Sequence, residues 1–309
     1  MTGAGAELGA GTERLTVLAV MLRSAEYLAE KGIDSARLDA EHLLSHVLGV
    51  GRLEMYLQHE RPLEAGELDS LRPLLKRRAQ REPLQYVLGR QGFRELDLEV
   101  GAGVLIPRPE TEGLVEAVLS WAEGRAGLDL LDIGTGSGAI ALSLLGEGPF
   151  AKGVGTDVSW AALDFARRNR DASGLESRLE LRHGRLFEPV TSGECFDVVV
   201  SNPPYVADGD REGLQAEVVD WEPEGALFAG SDGLDVLRCI VAGAGAVLRP
   251  GGLLALEVGD GQAQHVADLI GETAAYCRAT IHQDLSGKDR IVTASDTRIL
   301  TTIKAGEGN

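Results

Sequence analysis

The chain has 309 residues, 44% of them hydrophobic and 25% charged, and a formal net charge of −18 at pH 7. Its length exceeds one average domain and suits two, and its composition is that of a folded globular protein rather than a disordered one. The negative surplus repels phosphate backbones at long range, which argues against general nucleic-acid affinity unless a basic patch is built locally.

Cys195, Cys239 and Cys277 are odd in number and far apart, a pattern of reduced thiols rather than of a disulfide framework or a zinc site. No apolar run approaches the ~18 residues needed to span a bilayer. Met1 is followed by small and acidic residues without a basic segment. We therefore expect a cytoplasmic chain with no membrane contact.

Residues 1–12 are rich in Gly and Ala and read as a disordered tail. From Glu13 the pattern becomes helical, with Leu15, Leu18, Met21 and Leu22 on one face and Gly32 as a stop. A second helix starts near Ser35, carries Leu43, Leu44, Val47 and Leu48, and ends at Gly49. Two more are expected over Leu53 to His59 and Glu64 to Arg81. The last of these ends in Lys76, Arg77 and Arg78, cations that oppose a helix dipole and need no RNA role. Residues 13–83 thus form an all-helical domain.

Residues 84–106 change character. Between Tyr86 and Ile106, short apolar segments broken by glycine (Leu96, Leu98 and Val100, then Val104 to Ile106) read as a β-hairpin linker. A larger domain is expected over residues 107–300, with a flexible tail at 301–309. Within it, Leu128 to Ile133, Ala151 to Thr156, Leu179 to Arg182, Phe196 to Val200 and Gly252 to Val258 read as strands separated by helices. That alternation predicts an α/β fold with a doubly wound, mostly parallel sheet. Ligands of such sheets bind beyond the carboxyl ends of the strands.

The first of these strands runs into Gly134-Thr135-Gly136-Ser137-Gly138 and then into the apolar helix start at Ala139. Glycines there let the backbone turn sharply and approach a ligand closely. The same residues satisfy Gly-x-Gly-x-x-Ala, so a nicotinamide dehydrogenase competes at this point. After the second strand, Asp157 can accept hydrogen bonds from both ribose hydroxyls of an adenosine; the plain alternative is a helix N-cap.

Ser201-Asn202-Pro203-Pro204-Tyr205 closes the fourth strand. Two prolines stiffen the turn, remove two N–H donors and leave carbonyls without a ladder to join. A planar NH₂ is a poor nucleophile because its lone pair is delocalised. The Asn202 side-chain carbonyl and the Pro203 backbone carbonyl can each hold one of its hydrogens and aim the nitrogen at a sulfonium methyl, with Tyr205 packed over the flat group. Positioning of this kind is worth up to ~7–11 kcal/mol of barrier. No metal is required.

The Asp-x-Gly-x-Gly-x-Gly loop beginning at Asp132, together with Asn202-Pro203-Pro204-Tyr205, resembles class I methyltransferases acting on amide or exocyclic nitrogens. Flanking residues narrow the resemblance to the release factor glutamine methyltransferase family. These are Arg37 to Leu44, Glu82 to Tyr86, Leu105-Ile106-Pro107-Arg108-Pro109-Glu110-Thr111-Glu112, Glu217-Val218, Glu222-Pro223, Ala226-Leu227, Asp232 to Asp235, Pro250 to Gly252, Glu257 and Gly287 to Arg290. The likeness spans residues 13 to about 293.

The resemblance implies a seven-stranded Rossmann-like sheet and a helical domain that recognises substrate. It further implies S-adenosylmethionine as cofactor and the glutamine of a Gly-Gly-Gln motif in class I peptide chain release factors as substrate. Gly134, Thr135, Gly136, Ser137, Gly138, Asp157, Leu186 and Asn202 would then bind cofactor. Asn202, Pro203, Pro204 and Tyr205 would hold the glutamine, in a monomer with no direct nucleic-acid contact.

One departure stands out: Gly184-Arg185-Leu186-Phe187 places Arg185 where the family commonly has an acidic residue, so adenine recognition would fall to the backbone or to packing by Leu186. Val104 to Thr111 can line the site, with a linker salt bridge the plain alternative for Arg108. The other readings are a methyltransferase for a ribosomal-protein glutamine or a nucleic-acid base amine, and a binding module that keeps cofactor without turnover.

Overall fold

A computed structural model of the chain describes residues 15–297. The chain divides between Leu88 and Gly89 into two units. The expected helix start at Glu13 and the expected tails lie outside the described residues.

The first unit is helical: α1 (Val17–Glu30), α2 (Ala36–Leu48), α3 (Arg52–Leu57), α4 (Ala65–Ala79) and α5 (Leu84–Leu88). The α1 register follows from Val17, Val20, Met21, Ser24 and Leu28, whose three- and four-residue spacing buries one face. Thr16 caps it by accepting a hydrogen bond from the Ala19 N–H at 3.3 Å. Gly49, in the left-handed region at φ 65°, ends α2. Met21, Leu28, Leu43, Leu44, Met55 and Leu71 are fully buried and form the centre of the unit's core.

The basic run at the end of α4 is structural. Arg77 Nη2 donates to Glu82 Oε1 at 2.5 Å, and Arg78 turns inward to donate from Nε to Asp39 Oδ2 at 2.6 Å. Arg78 therefore does more than oppose a dipole: it forms a buried ion pair with α2. Residues Tyr86 to Leu88, which read as the start of a strand pair, are helical instead. Pro83 is pre-set for the mouth of a helix, its carbonyl accepts from Val87 N at 3.0 Å, and Gly89 at φ 74° ends the turn.

The second unit opens on an antiparallel hairpin of β1 (Arg90–Phe93) and β2 (Leu96–Glu99), joined at Arg94, which takes φ 49°. The hairpin is shorter than its apolar pattern suggests. Val104 and Ile106 are buried, yet they belong to no strand.

There follow α6 (Glu112–Ala122), β3 (Leu128–Ile133), α7 (Ala139–Glu147), β4 (Phe150–Asp157), α8 (Trp160–Ala172), β5 (Leu179–His183) and β6 (Phe196–Ser201). The unit is completed by α9 (Ala216–Trp221), α10 (Asp235–Val247), β7 (Leu248–Glu257), α11 (Ala263–Gly271), β8 (Thr280–Gln283) and β9 (Asp289–Ser295). The seven-stranded sheet has the order β5-β4-β3-β6-β7-β9-β8. The first five strands in that order run parallel, and β9 runs antiparallel to both neighbours.

Side chains alternate across the sheet. Leu130, Val198, Val200 and Leu253 pack on one face with Leu142 of α7, whereas Leu131, Ile133, Val199 and Leu254 pack on the other with Ile240 of α10 and Val266 of α11. Strand order reverses between β3 and β6, so the crevice beyond their carboxyl ends is the expected ligand site. Among the described residues, no helix is long and apolar enough to cross a membrane.

Candidate active site

Beyond those strand ends lies a cavity of about 500 Å³, mainly apolar in its walls. Gly134 to Ser137 line it after β3, Asp157 at the end of β4, Arg185 and Leu186 after β5, and Asn202 to Pro204 after β6. Four segments far apart in sequence converge because the parallel ladders end at one edge.

The glycine loop owes its shape to three left-handed residues, Gly134 at φ 71°, Gly136 at φ 58° and Gly138 at φ 86°. The Thr156 carbonyl accepts from Gly134 N at 2.8 Å and from Thr135 N at 2.9 Å, and Thr135 Oγ1 donates to Asp132 Oδ2 at 2.7 Å. Asp132 is fully buried beneath the loop, and burial pushes its carboxyl up to about 7. Gly138 caps α7 and does not line the cavity.

Asp157 Oδ2 accepts from Gly136 N at 2.9 Å, and Oδ1 accepts from Ser159 N at 2.8 Å. The side chain that caps α8 is that of Ser159, which accepts from Ala162 N at 3.2 Å. The N-cap alternative for Asp157 thus gives way to a carboxylate that braces the glycine loop and faces the cavity. Burial raises its pKa, and the backbone donors work against that rise. In the turn after the neighbouring strand β5, Leu186 holds φ 50°, with its carbonyl accepting from Thr156 Oγ1 at 3.3 Å. Arg185 N donates to Glu188 Oε2 at 3.2 Å.

After β6, Ser201 Oγ donates to the Ile133 carbonyl at 2.7 Å, tying the loop to the glycine-bearing strand. Asn202 Nδ2 donates to Thr111 Oγ1 at 3.0 Å. Tyr205 is turned away: it does not line the cavity, and its hydroxyl donates to Glu257 Oε1 at 3.4 Å. Its ring packs on the core beside α10 and α11. The structure thus ties Tyr205 to Glu257 behind the turn, whereas Asn202, Pro203 and Pro204 form the cavity wall. Gly233, at φ 73°, backs this turn; a Cβ there would stand 2.2 Å from the Tyr205 carbonyl oxygen.

The segment before α6 forms part of the wall through Gly103 to Leu105, Pro107 and Thr111. Glu222 clamps it: its Oε2 accepts from Ile106 N at 3.2 Å and its Oε1 from Arg108 Nη2 at 2.5 Å. Arg108 is thus a salt-bridge residue, the plainer of its two readings. Val236 and Ile240 also reach the cavity. Nothing in the sequence marked them, since an apolar stripe on α10 reads as core. Among the described residues, no cluster of His, Cys, Asp and Glu is placed to hold a metal.

Comparison with known proteins agrees with this geometry. A family profile described as the PrmC N-terminal domain matches residues 20–89, and one described as the methyltransferase small domain matches residues 111–220. The chain is 47% identical over 266 residues to the release factor glutamine methyltransferase of Geobacter sulfurreducens, covering 86% of this chain and 92% of that one. It is 41% identical over 297 residues to the namesake from Rhodospirillum rubrum, covering 94% and 90%. Among solved structures, a methyltransferase from Pyrococcus furiosus matches in fold at TM-score 0.50 and 21% identity, over 66% of this chain and 90% of that one. With relatives at this identity matched over most of both chains, and with the glycine loop and the Asn-Pro-Pro turn meeting at one cavity, the chain belongs to the release factor glutamine methyltransferase family.

Proposed function

We infer that the protein transfers the methyl group of S-adenosylmethionine to the side-chain amide nitrogen of the glutamine in the Gly-Gly-Gln motif of class I peptide chain release factors. The observation that carries this reading is the convergence of Asn202 to Pro204 with Gly134 to Ser137 on one cavity. A cavity near 500 Å³ falls within the ~300–1,000 Å³ of small-molecule sites, and its apolar walls with few polar groups suit an adenosyl ligand.

S-adenosylmethionine supplies a methyl already activated by positive sulfur, so the chain's residues have chiefly to bind and aim. The left-handed glycines bring backbone close to the ligand, and Asp157, with both oxygens already fixed by backbone N–H groups, presents its remaining lone pairs to ribose hydroxyls. Val158 and Leu186, which line the cavity, would flank the adenine. Because Arg185 offers no acceptor, packing and backbone replace a carboxylate at the adenine amino group.

Asn202 Oδ1 and the Pro203 carbonyl each accept one hydrogen of the glutamine amide, which points the nitrogen lone pair along the line of displacement. The transfer would form the N–C bond at the expense of the S–C bond, leaving that electron pair on the departing thioether, and the amide's surplus proton would pass to water. Orientation of this kind needs no nucleophilic side chain.

Removing the Asp157 carboxylate deletes charge-assisted hydrogen bonds of ~1.5–3 kcal/mol. Asp157→Ala should therefore weaken S-adenosylmethionine binding roughly 10- to 100-fold by calorimetry; unchanged affinity would remove Asp157 from the cofactor site.

The function itself is tested by incubating the chain and labelled S-adenosylmethionine with a release factor, its Gln→Ala variant, ribosomal proteins and rRNA. Label in the unsubstituted release factor alone supports the inference. Label in a ribosomal protein or rRNA instead would transfer the assignment to that substrate.

A further inference from the structure

Behind the Asn-Pro-Pro turn, a chain of buried side chains runs away from the cavity. Asn202 Nδ2 donates to Thr111 Oγ1 at 3.0 Å. The Thr111 hydroxyl also lies close enough to the Glu257 carboxyl to stabilise its charge, and that carboxyl receives the Tyr205 hydroxyl on Oε1. Thr111 is 3% exposed and Glu257 1% exposed, so water cannot readily substitute for either partner. Glu257 Oε2 is buried and has no hydrogen-bond partner, which leaves a place for the Thr111 proton once that hydroxyl turns toward it.

A hydroxyl has a single proton, whereas an Asn amide can present either its oxygen or its NH₂ after a half-turn. These facts give the chain a polarity. If Thr111 donates to Glu257, only its lone pairs face Asn202, and Asn202 must meet them with Nδ2. Oδ1 is then left as an acceptor for the substrate amide.

We propose that Glu257 is a positioning residue for the methyl transfer: by accepting the Thr111 proton, it fixes the amide of Asn202 with its oxygen toward the substrate NH₂. The proposal rests on the role given to Asn202 above. A Glu257 that itself carried a proton could donate to Thr111, Thr111 could donate to Asn202 Oδ1, and the Asn202 NH₂ would then oppose the substrate's own donors.

The charged and titratable groups facing Glu257 are Tyr205 from the catalytic loop, Arg290 from β9 and Glu110 from the turn before α6. Burial is the dominant influence and pushes Glu257 up to about 7; Arg290 pulls it down and Glu110 adds to the rise. The carboxylate is the orienting form, so kcat should climb as pH rises through about 7.

The test measures kcat, the KM for release factor, and S-adenosylmethionine affinity from pH 6 to 9 for the unsubstituted chain, Glu257→Gln, Thr111→Val and Thr111→Ser. Glu257→Gln keeps the shape but can donate to Thr111. It should lose roughly 10- to 100-fold in kcat at high pH and lose the rise near neutrality, while cofactor affinity stays unchanged. Thr111→Val should behave alike, and Thr111→Ser should retain most of the activity that Thr111→Val loses.

A Glu257→Gln enzyme with the unsubstituted kcat and pH profile would overturn the proposal, as would a Thr111→Val enzyme of full activity. A fall in cofactor affinity matching the fall in kcat would also overturn it, pointing to a structural role. Failure of the unsubstituted chain to label release factor would instead sink the functional reading beneath it.

Discussion

Replacing Asn202 by alanine is expected to lower kcat roughly 10²-fold or more while leaving S-adenosylmethionine affinity nearly unchanged. Asn202 sits at the carboxyl end of β6, on the cavity wall, with its Nδ2 already committed to Thr111. Alanine removes the acceptor and keeps the stiff backbone, because Pro203 and Pro204 still set the turn. The substrate amide then enters a pocket with one acceptor in place of two, and its nitrogen is no longer held on the line of attack. A loss confined to cofactor binding would place Asn202 in the cofactor site alone.

Stability offers the second large effect. Asp39 accepts from Arg78 Nε at 2.6 Å and from Ser35 Oγ at 2.8 Å, with side-chain exposures of 4% for Asp39 and 7% for Arg78. Asp39→Ala takes the Asp39 carboxylate away from a buried guanidinium, and breaking a buried ion pair in this way costs ~3–5 kcal/mol. Against a total of ~5–15 kcal/mol for a typical domain, that would shift the unfolding transition of the helical unit far down in denaturant. Circular dichroism across a urea series checks it. The double variant Asp39→Leu with Arg78→Met should recover much of the loss, since replacing both partners by apolar groups removes the burial penalty together with the pair. If Asp39→Ala unfolds at the unsubstituted midpoint, the pair is of no consequence to stability.

The same pair shows where sequence reading stops. Arg78 stood in a run of three cations at a helix end, and local electrostatics explains such a run without reference to any distant residue. Its partner lies 39 residues away on α2, a pairing that periodicity cannot reveal. Leu128–Ile133 and Phe196–Ser201 were legible because buried parallel strands read as continuous apolar runs. By contrast β8 and β9 escaped the periodicity, since β8 is short and half-exposed and β9 has polar residues at its ends.

At the site, the glycine loop, Asp157 and the Asn-Pro-Pro turn announced themselves because backbone conformation constrains residue type there. For Tyr205, adjacency to the prolines suggested a substrate contact, and only folding shows its hydroxyl tied to Glu257. Glu222 and Glu257 carried no chemical signal of their own. A lone glutamate in sequence looks like surface, and only folding shows the first clamping residues 106–108 and the second buried against Thr111 and Tyr205.

The central claim is that a rigid set of oxygen acceptors holds a glutamine amide beside an activated methyl, and the position of the transferred methyl tests it most directly. After reaction with S-adenosylmethionine, fragment mass spectrometry of the release factor should find one added methyl on the side chain of the Gly-Gly-Gln glutamine and none in the Gln→Ala variant. A methyl on any other residue, or equal labelling of the variant, would contradict the account.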